Sequence, residues 1–247
     1  MRCSACSVFA ILLCATNLFA ADEKPTYSIH RASTPITIDG RLDEPAWIAA
    51  ESVGDFRFGW YKSGKKEQTV AKMLWDDKFL YVAYLCEDAH VSGTHTERDS
   101  AVWFDDAVEV FAAPNPDQPE VYFNIEMSVT GAWLDHSHLK GVEGGSDKSW
   151  NPEGLKTAVR VYGTLNDDSD TDQYWVLEAA IPLSGYEKVA KNTPPKPGDV
   201  WHLNLNRLGG KTNEQFSQWS EGTGPEPQFH RPQDFGRVIF SDKRRPF

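Results

Sequence analysis

Apolar and polar residues alternate along this chain in short runs, with a period of two residues far more often than a helical period. The pattern predicts strands at Thr26–Arg31, 36–38, 56–60, Thr69–Trp75, Phe79–Glu87, 107–112, 121–130, 132–136, 157–162, 174–181, 201–208 and 236–240. These runs are rich in Val, Ile, Tyr, Phe and Trp. The cleanest alternation lies at 201–208, where Trp201, Leu203 and Leu205 oppose His202, Asn204 and Asn206. Asp76-Asp77 and Thr130-Gly131 read as tight turns between strands. Helix signals are short. One lies at 43–50, with Asp43 as cap and Pro45 in the first turn, and another at 184–191. Polar loops are expected at 90–101 and 140–152, and a Pro-rich connector at 193–199. Many short strands with regular turns imply an all-β sandwich of two antiparallel sheets with one or two short helices.

The first residues change the picture of location. Arg2, the apolar stretch from Val8 to Ala15 and the small residue Ala20 read as a signal peptide over 1–20, too short to span a bilayer. The expectation is a secreted or periplasmic protein whose residues 21–247 form one domain. Three of the 4 cysteines, Cys3, Cys6 and Cys14, lie in that leader. Cys86 is left alone in an apolar run, which excludes an internal disulfide and suits a small core residue. The formal charge of −11 has no basic stripe to offset it, so nucleic acid and anionic membranes are excluded as partners.

Candidate chemistry centres on Trp103-Phe104-Asp105-Asp106-Ala107-Val108-Glu109. An aromatic plate stands six residues ahead of a strand carboxylate. A flat ring can cover the C–H face of a sugar while an acid accepts its hydroxyls.

Several segments together resemble family 9 carbohydrate-binding modules. Ile38-Asp39-Gly40-Arg41-Leu42-Asp43-Glu44-Pro45-Ala46-Trp47 looks like the family's opening signature. Leu74 to Ala83, Trp103 to Glu109, Trp175 to Pro182, Trp201 to Arg207 and Phe235 to Phe240 follow in the family's order. The resemblance implies an immunoglobulin-like, DOMON-type β-sandwich and a non-catalytic module that clamps a sugar or polysaccharide between two tryptophans. Trp103 matches the first ring and Trp219 the second. Glu109 matches the strand acid, and Glu126 and Ser128 stand where the family places an arginine and an asparagine. Asn204 and Arg207 are further candidates for hydroxyl bonds. A structural calcium is also implied, along with association with secreted glycoside hydrolases of polysaccharide catabolism.

Other readings stay open beside it. The acid-rich segments Asp105-Asp106 and Asp167 to Asp172 offer hard oxygen ligands, but the second lacks the Gly and closing Glu of a calcium loop. His136 and His138 share a strand face and suit a metal, or a haem with Met127. A glycoside hydrolase would need two carboxyl groups about 5–9.5 Å apart, and no acid/base motif stands out. Trp75, Trp175 and Trp201 are expected in the core, Trp47 under the opening turn, Glu178 as a structural acid, and Arg207 most simply in an ion pair.

Overall fold

The computed structural model describes residues 24–209 and 215–244, so the expected leader lies outside the described residues. The strands are β1 (Thr26–Arg31), β2 (Thr69–Trp75), β3 (Phe79–Glu87), β4 (Asp106–Ala113), β5 (Tyr122–Ser128) and β6 (Trp133–His138), then β7 (Lys156–Tyr162), β8 (Tyr174–Pro182), β9 (Val200–Gly209), β10 (Phe216–Gln218) and β11 (Gly236–Ser241). One helix, α1 (Pro45–Ala49), precedes β2.

The strands form one curled sheet in the order β6-β5-β4-β9-β11-β1-β2-β3-β8-β7, with β10 paired to β9. Its two halves fold onto each other as a sandwich. From one half, Val108, Val110 and Ala112 of β4, Phe123, Ile125 and Met127 of β5, and Trp201, Leu203 and Leu205 of β9 point inward. From the other come Ala71, Met73 and Trp75 of β2, Leu80, Val82 and Tyr84 of β3, and Trp175, Leu177 and Ala179 of β8. Alternate residues on each strand supply this core, as a period of two requires. Edge-on aromatic contacts link the halves, with Trp75, Phe240, Trp201 and Tyr186 in sequence at centroid separations of 5.3, 5.0 and 5.1 Å.

The join between the halves is parallel. β1 pairs β11 on one side and β2 on the other, both in the same direction. A parallel neighbour needs a long crossover, and the segment between β1 and β2 provides it. Within that segment Asp39-Gly40 is held by Glu178 of β8, whose carboxylate accepts the backbone N–H groups of both residues and the Trp47 indole N–H at 3.0, 3.1 and 2.9 Å. Gly40 has φ +76°, and a Cβ there would come within 3.2 Å of the Val159 backbone. Only glycine fits so close an approach comfortably.

Three expectations differ in detail. Residues 36–38 and 56–60 are not strands. Ile36 and Ile38 pack beneath α1 without a ladder, and residues 56–60 contribute one bridge, Arg57 to Gln218. Apolar spacing recruits a segment to a surface, but a strand also needs a backbone partner along its length. Over 184–191 the chain makes a 3-10 turn, Leu183–Tyr186, whose Leu183 and Tyr186 are buried. Cys86 is fully buried, and burial pushes its thiol up to about 12, as an inert core residue.

Candidate functional site

The β6-β5-β4-β9-β10 half has a second face, turned away from the core. Leu134, His136 and His138 of β6, Asn124, Glu126 and Ser128 of β5, Glu109 and Phe111 of β4, Asn204 and Asn206 of β9 and Gln218 of β10 alternate with the core residues and so line it. Register places Glu126 opposite Glu109, Glu109 opposite Asn206, and Asn206 opposite Gln218. A continuous polar strip therefore crosses four strands, with Ala107 and Leu208 on one side of it and Phe111, set between Asn124 and Asn204, on the other.

Hydrogen bonds orient this strip. The Asn206 amide donates to Glu109 Oε2 at 3.0 Å, and the Asn124 amide to Glu126 Oε1 at 2.9 Å. Asn124 Oδ1 lies 2.8 Å from His138 Nε2, so that nitrogen carries the proton and His138 donates into the chain His138–Asn124–Glu126. Glu126 Oε2 and Asn206 Oδ1 are buried without a hydrogen-bond partner among the described residues. Burial, seconded by the facing Glu126, holds the Glu109 carboxyl well above the usual range. Burial also pushes Glu126 up to about 7, against the pull of the Asn124 amide. Two facing carboxyls with no salt bridge to either, among the described residues, share protons rather than both ionising near neutrality.

Trp103 sits on the 3-10 turn Val102–Phe104 that leads into β4. Val102 packs on Ala132 and Leu134, which fixes the turn over the β6 end of the strip. Trp103 is 43% exposed and Phe104 64%, and their rings lie 5.6 Å apart. An exposed aromatic plate therefore stands on the turn that leads into β4, the strand that carries Glu109.

The second half of the expected clamp is not where the sequence put it. Trp219 is 3% exposed and belongs to the sandwich core. Its indole N–H donates to the Val53 carbonyl at 2.9 Å. A Cβ at Gly236 would fall 2.6 Å from its ring, so β11 covers it closely. A ring so enclosed presents no face to a ligand. Arg207 also leaves the strip, because its place in the alternation points it inward with Trp201, Leu203 and Leu205. It donates to Asp88 Oδ2 at 2.8 Å and to the Glu87 carbonyl at 2.6 Å, the ion-pair role.

Ser128 and Asn204 do lie on the outer face but are already engaged. Ser128 donates to Asp105, and Asn204 bonds the Ser220 backbone through both N–H and C=O. Asn206 and Gln218 are the strip residues that the candidate set omitted, and Gln218 lies on the three-residue β10. The signal for Asn206 was its place on the polar side of the 201–208 alternation.

The acid-rich segments are occupied by loop backbone. Asp105 accepts the N–H groups of Thr94 and His95, Asp106 that of Ser92, and Asp172 those of Val91 and Thr164. These carboxylates pin the 90–101 loop. Among the described residues no group of three His, Cys, Asp or Glu side chains is arranged to hold a metal ion. His136 and His138 do share a face, with ring centroids 6.5 Å apart. Met127 points into the core on the opposite side, so Met127 and these histidines cannot flank one haem.

Residues 38–243 match the family model described as carbohydrate family 9 binding domain-like. The chain belongs to this family. It is 29% identical over 150 residues to the exoglucanase XynX of Acetivibrio thermocellus and 27% identical over 150 residues to the endo-1,4-beta-xylanase A of Thermoanaerobacterium saccharolyticum. Those matches cover 60% of this chain but only 12% and 11% of the two relatives, so it spans a small fraction of each.

Among solved structures, a candidate carbohydrate-binding protein from Bacteroides uniformis superposes with a TM-score of 0.72 at 18% identity, over 89% of this chain and 100% of that one. A family 9 carbohydrate-binding module from Caldicellulosiruptor kristjanssonii, solved with cellotriose, gives 0.58 at 18% identity, over 88% and 95%. The glucose complex of a family 9 module from that organism gives 0.59 at 17%, over 90% and 99%. These likenesses show that the fold is the family 9 β-sandwich.

Proposed function

We propose that this protein is a non-catalytic carbohydrate-binding module that receives a sugar on the outer face of the β6-β5-β4-β9-β10 half. The observation that carries the reading is the register Glu126–Glu109–Asn206, together with the exposed indole of Trp103 on the turn that leads into β4. Trp103 offers a plate for the apolar face of a pyranose, and the strip offers acceptors for its hydroxyls. Glu109 and Glu126, at 3% and 5% exposure, are the polar floor of the proposed site; Asn206 is fully buried and orients Glu109 from below, and Ser128 and Asn204 hold the backbone in place. Family membership supports a saccharide ligand, and the cellotriose and glucose complexes of family 9 modules suggest the first ligands to try. The matches to modules of an exoglucanase and a xylanase support a role alongside secreted glycoside hydrolases.

Calorimetric titration with glucose and cello-oligosaccharides tests this. Saturable binding that weakens in Glu109→Gln and Trp103→Ala supports the site; heat of dilution alone across the series rejects it. The facing carboxyls invite comparison with a hydrolase pair. Both acids are buried, at 3% and 5% exposure, and each is tied to an asparagine amide rather than standing free beside an open bond. Turnover of chromogenic glycosides is expected to be absent.

A further inference from the structure

At the β10 edge of the same outer face, beyond the polar strip, the structure holds a cleft of about 650 Å³. Its walls are aromatic, with Phe58, Trp60, Tyr61 and Phe216, and Lys62 and Lys65 stand at its rim. The volume falls in the range of small-ligand sites. The walls are held in place. The Trp60 indole N–H donates to the Gly224 carbonyl at 2.9 Å, and its ring leans on Phe229 at 5.8 Å. Gln215 accepts the Glu67 backbone N–H at 3.0 Å, closing one end.

Charge at the cleft runs against the rest of the molecule. The chain carries −11, yet Lys62, Lys65 and Lys66 fall within five consecutive residues here. Lys66 lies over the Tyr61 ring at 4.8 Å and the Phe58 ring at 5.5 Å, behind the wall. Lys65 reaches Glu87 only at 3.8 Å, and no ion pair engages Lys62 among the described residues. The one acid of the lining, Glu67, turns toward the protein. It accepts the Ala89 N–H at 2.9 Å and lies 3.9 Å from Arg207. Rings with an exposed cationic rim are a combination that stacks a sugar and pairs with a carboxylate.

We infer that this cleft is a second saccharide subsite, selective for a sugar that bears a carboxylate, such as a uronic acid residue. The inference rests on the carbohydrate-binding reading but concerns separate residues. From β5 to β10 there are three strand spacings, about 15 Å, too far for one sugar ring. The ligand that uses both places is therefore an oligosaccharide with neutral rings near Trp103 and an acidic ring near Tyr61.

Two matched probes test it on the full chain by calorimetry: a xylotetraose carrying one glucuronic acid branch, and the same compound with that carboxyl reduced to the alcohol. The native protein is expected to bind the acidic probe about fivefold more tightly at low salt, with the preference shrinking as salt rises. Lys62→Ala/Lys65→Ala removes the preference, Tyr61→Ala weakens both probes, and Trp103→Ala weakens both to the same degree. Glucose titration of the lysine double variant reports whether its fold and the Trp103 site survive. Equal affinity of the two probes for the native protein overturns the inference, as does a preference that persists in the double variant. If neither probe binds while glucose does, the cleft inference fails and the strip reading stands; if glucose also fails to bind, both fall.

Discussion

Trp103→Ala separates a ligand-facing ring from a structural one. The side chain is 43% exposed, so of the roughly 250 Å² that a large aromatic can bury, about 100 Å² faces solvent. A pyranose on one face of the ring would cover most of that, some 60–80 Å². At about 25 cal/mol per Å² the contact is worth ~1.5–2 kcal/mol, or roughly 10- to 30-fold in affinity. The remaining part of the ring lies against Phe104 at the surface, so its loss should move folding stability by less than about 1 kcal/mol. The assay is a pair of measurements on one preparation: calorimetric affinity for cellotriose and thermal unfolding without ligand. A tenfold or greater loss of affinity with an unchanged melting temperature is expected. Native affinity in the variant would refute the stacking argument, and a large fall in melting temperature would recast Trp103 as a packing residue.

Trp219→Ala should behave in the opposite way, losing about 3–5 kcal/mol of stability, because it empties a fully enclosed site in the sandwich core; chemical denaturation measures it, and a loss below about 1 kcal/mol would contradict the burial. Arg207→Met should cost about 3–5 kcal/mol, since Asp88 and Glu67 would be left buried without their cation; Asp88→Asn in the same background should recover part of that. Stability should also fall between pH 6.5 and 8. Burial raises Glu126 from 4.5 to about 7 and Asp106 from 3.8 to about 8, with Glu109 also raised, so the folded state holds more protons than the unfolded chain and loses that advantage as pH rises through the folded values. His138 and His230 are lowered by burial from 6.5 to about 4 and act in the opposite sense below pH 6.5, where stability is lost as pH falls. Melting temperatures across pH 5–8 check this. Glu126→Gln should flatten the alkaline slope, and a flat native profile from 6.5 to 8 would count against protonated carboxyls in the strip.

Much of the molecule was legible in the chain itself. Period-two alternation located ten of the eleven strands among the described residues, because a sheet buried on one face imposes that period wherever the strand is long enough. It also sorted Trp75, Trp175 and Trp201 into the core, since each alternates with polar or opposite-face partners within its own strand. Local spacing set the distance from Trp103 to Glu109, and those two residues are joined by one turn and the start of a strand. β10 escaped notice because three residues carry too little pattern. Residues 56–60 looked like a strand because their apolar spacing serves packing, not pairing.

Tertiary structure decided the rest. Trp219 and Trp60 both lie in stretches whose local pattern does not say which ring the sheet will cover. β11 packs over Trp219, whereas Trp60 lines a cleft. Arg207 has the inward parity of Trp201, Leu203 and Leu205, but only the packing of distant segments brings Asp88 to meet its charge there. The facing of Glu126 and Glu109 likewise depends on the register of β4 against β5, a long-range fact. The sequence alone determined which residues belong to strands and which class of surface they make. Which side chains meet across that surface followed from strand order and register, because contacts between distant segments are set by the packing of the whole sheet.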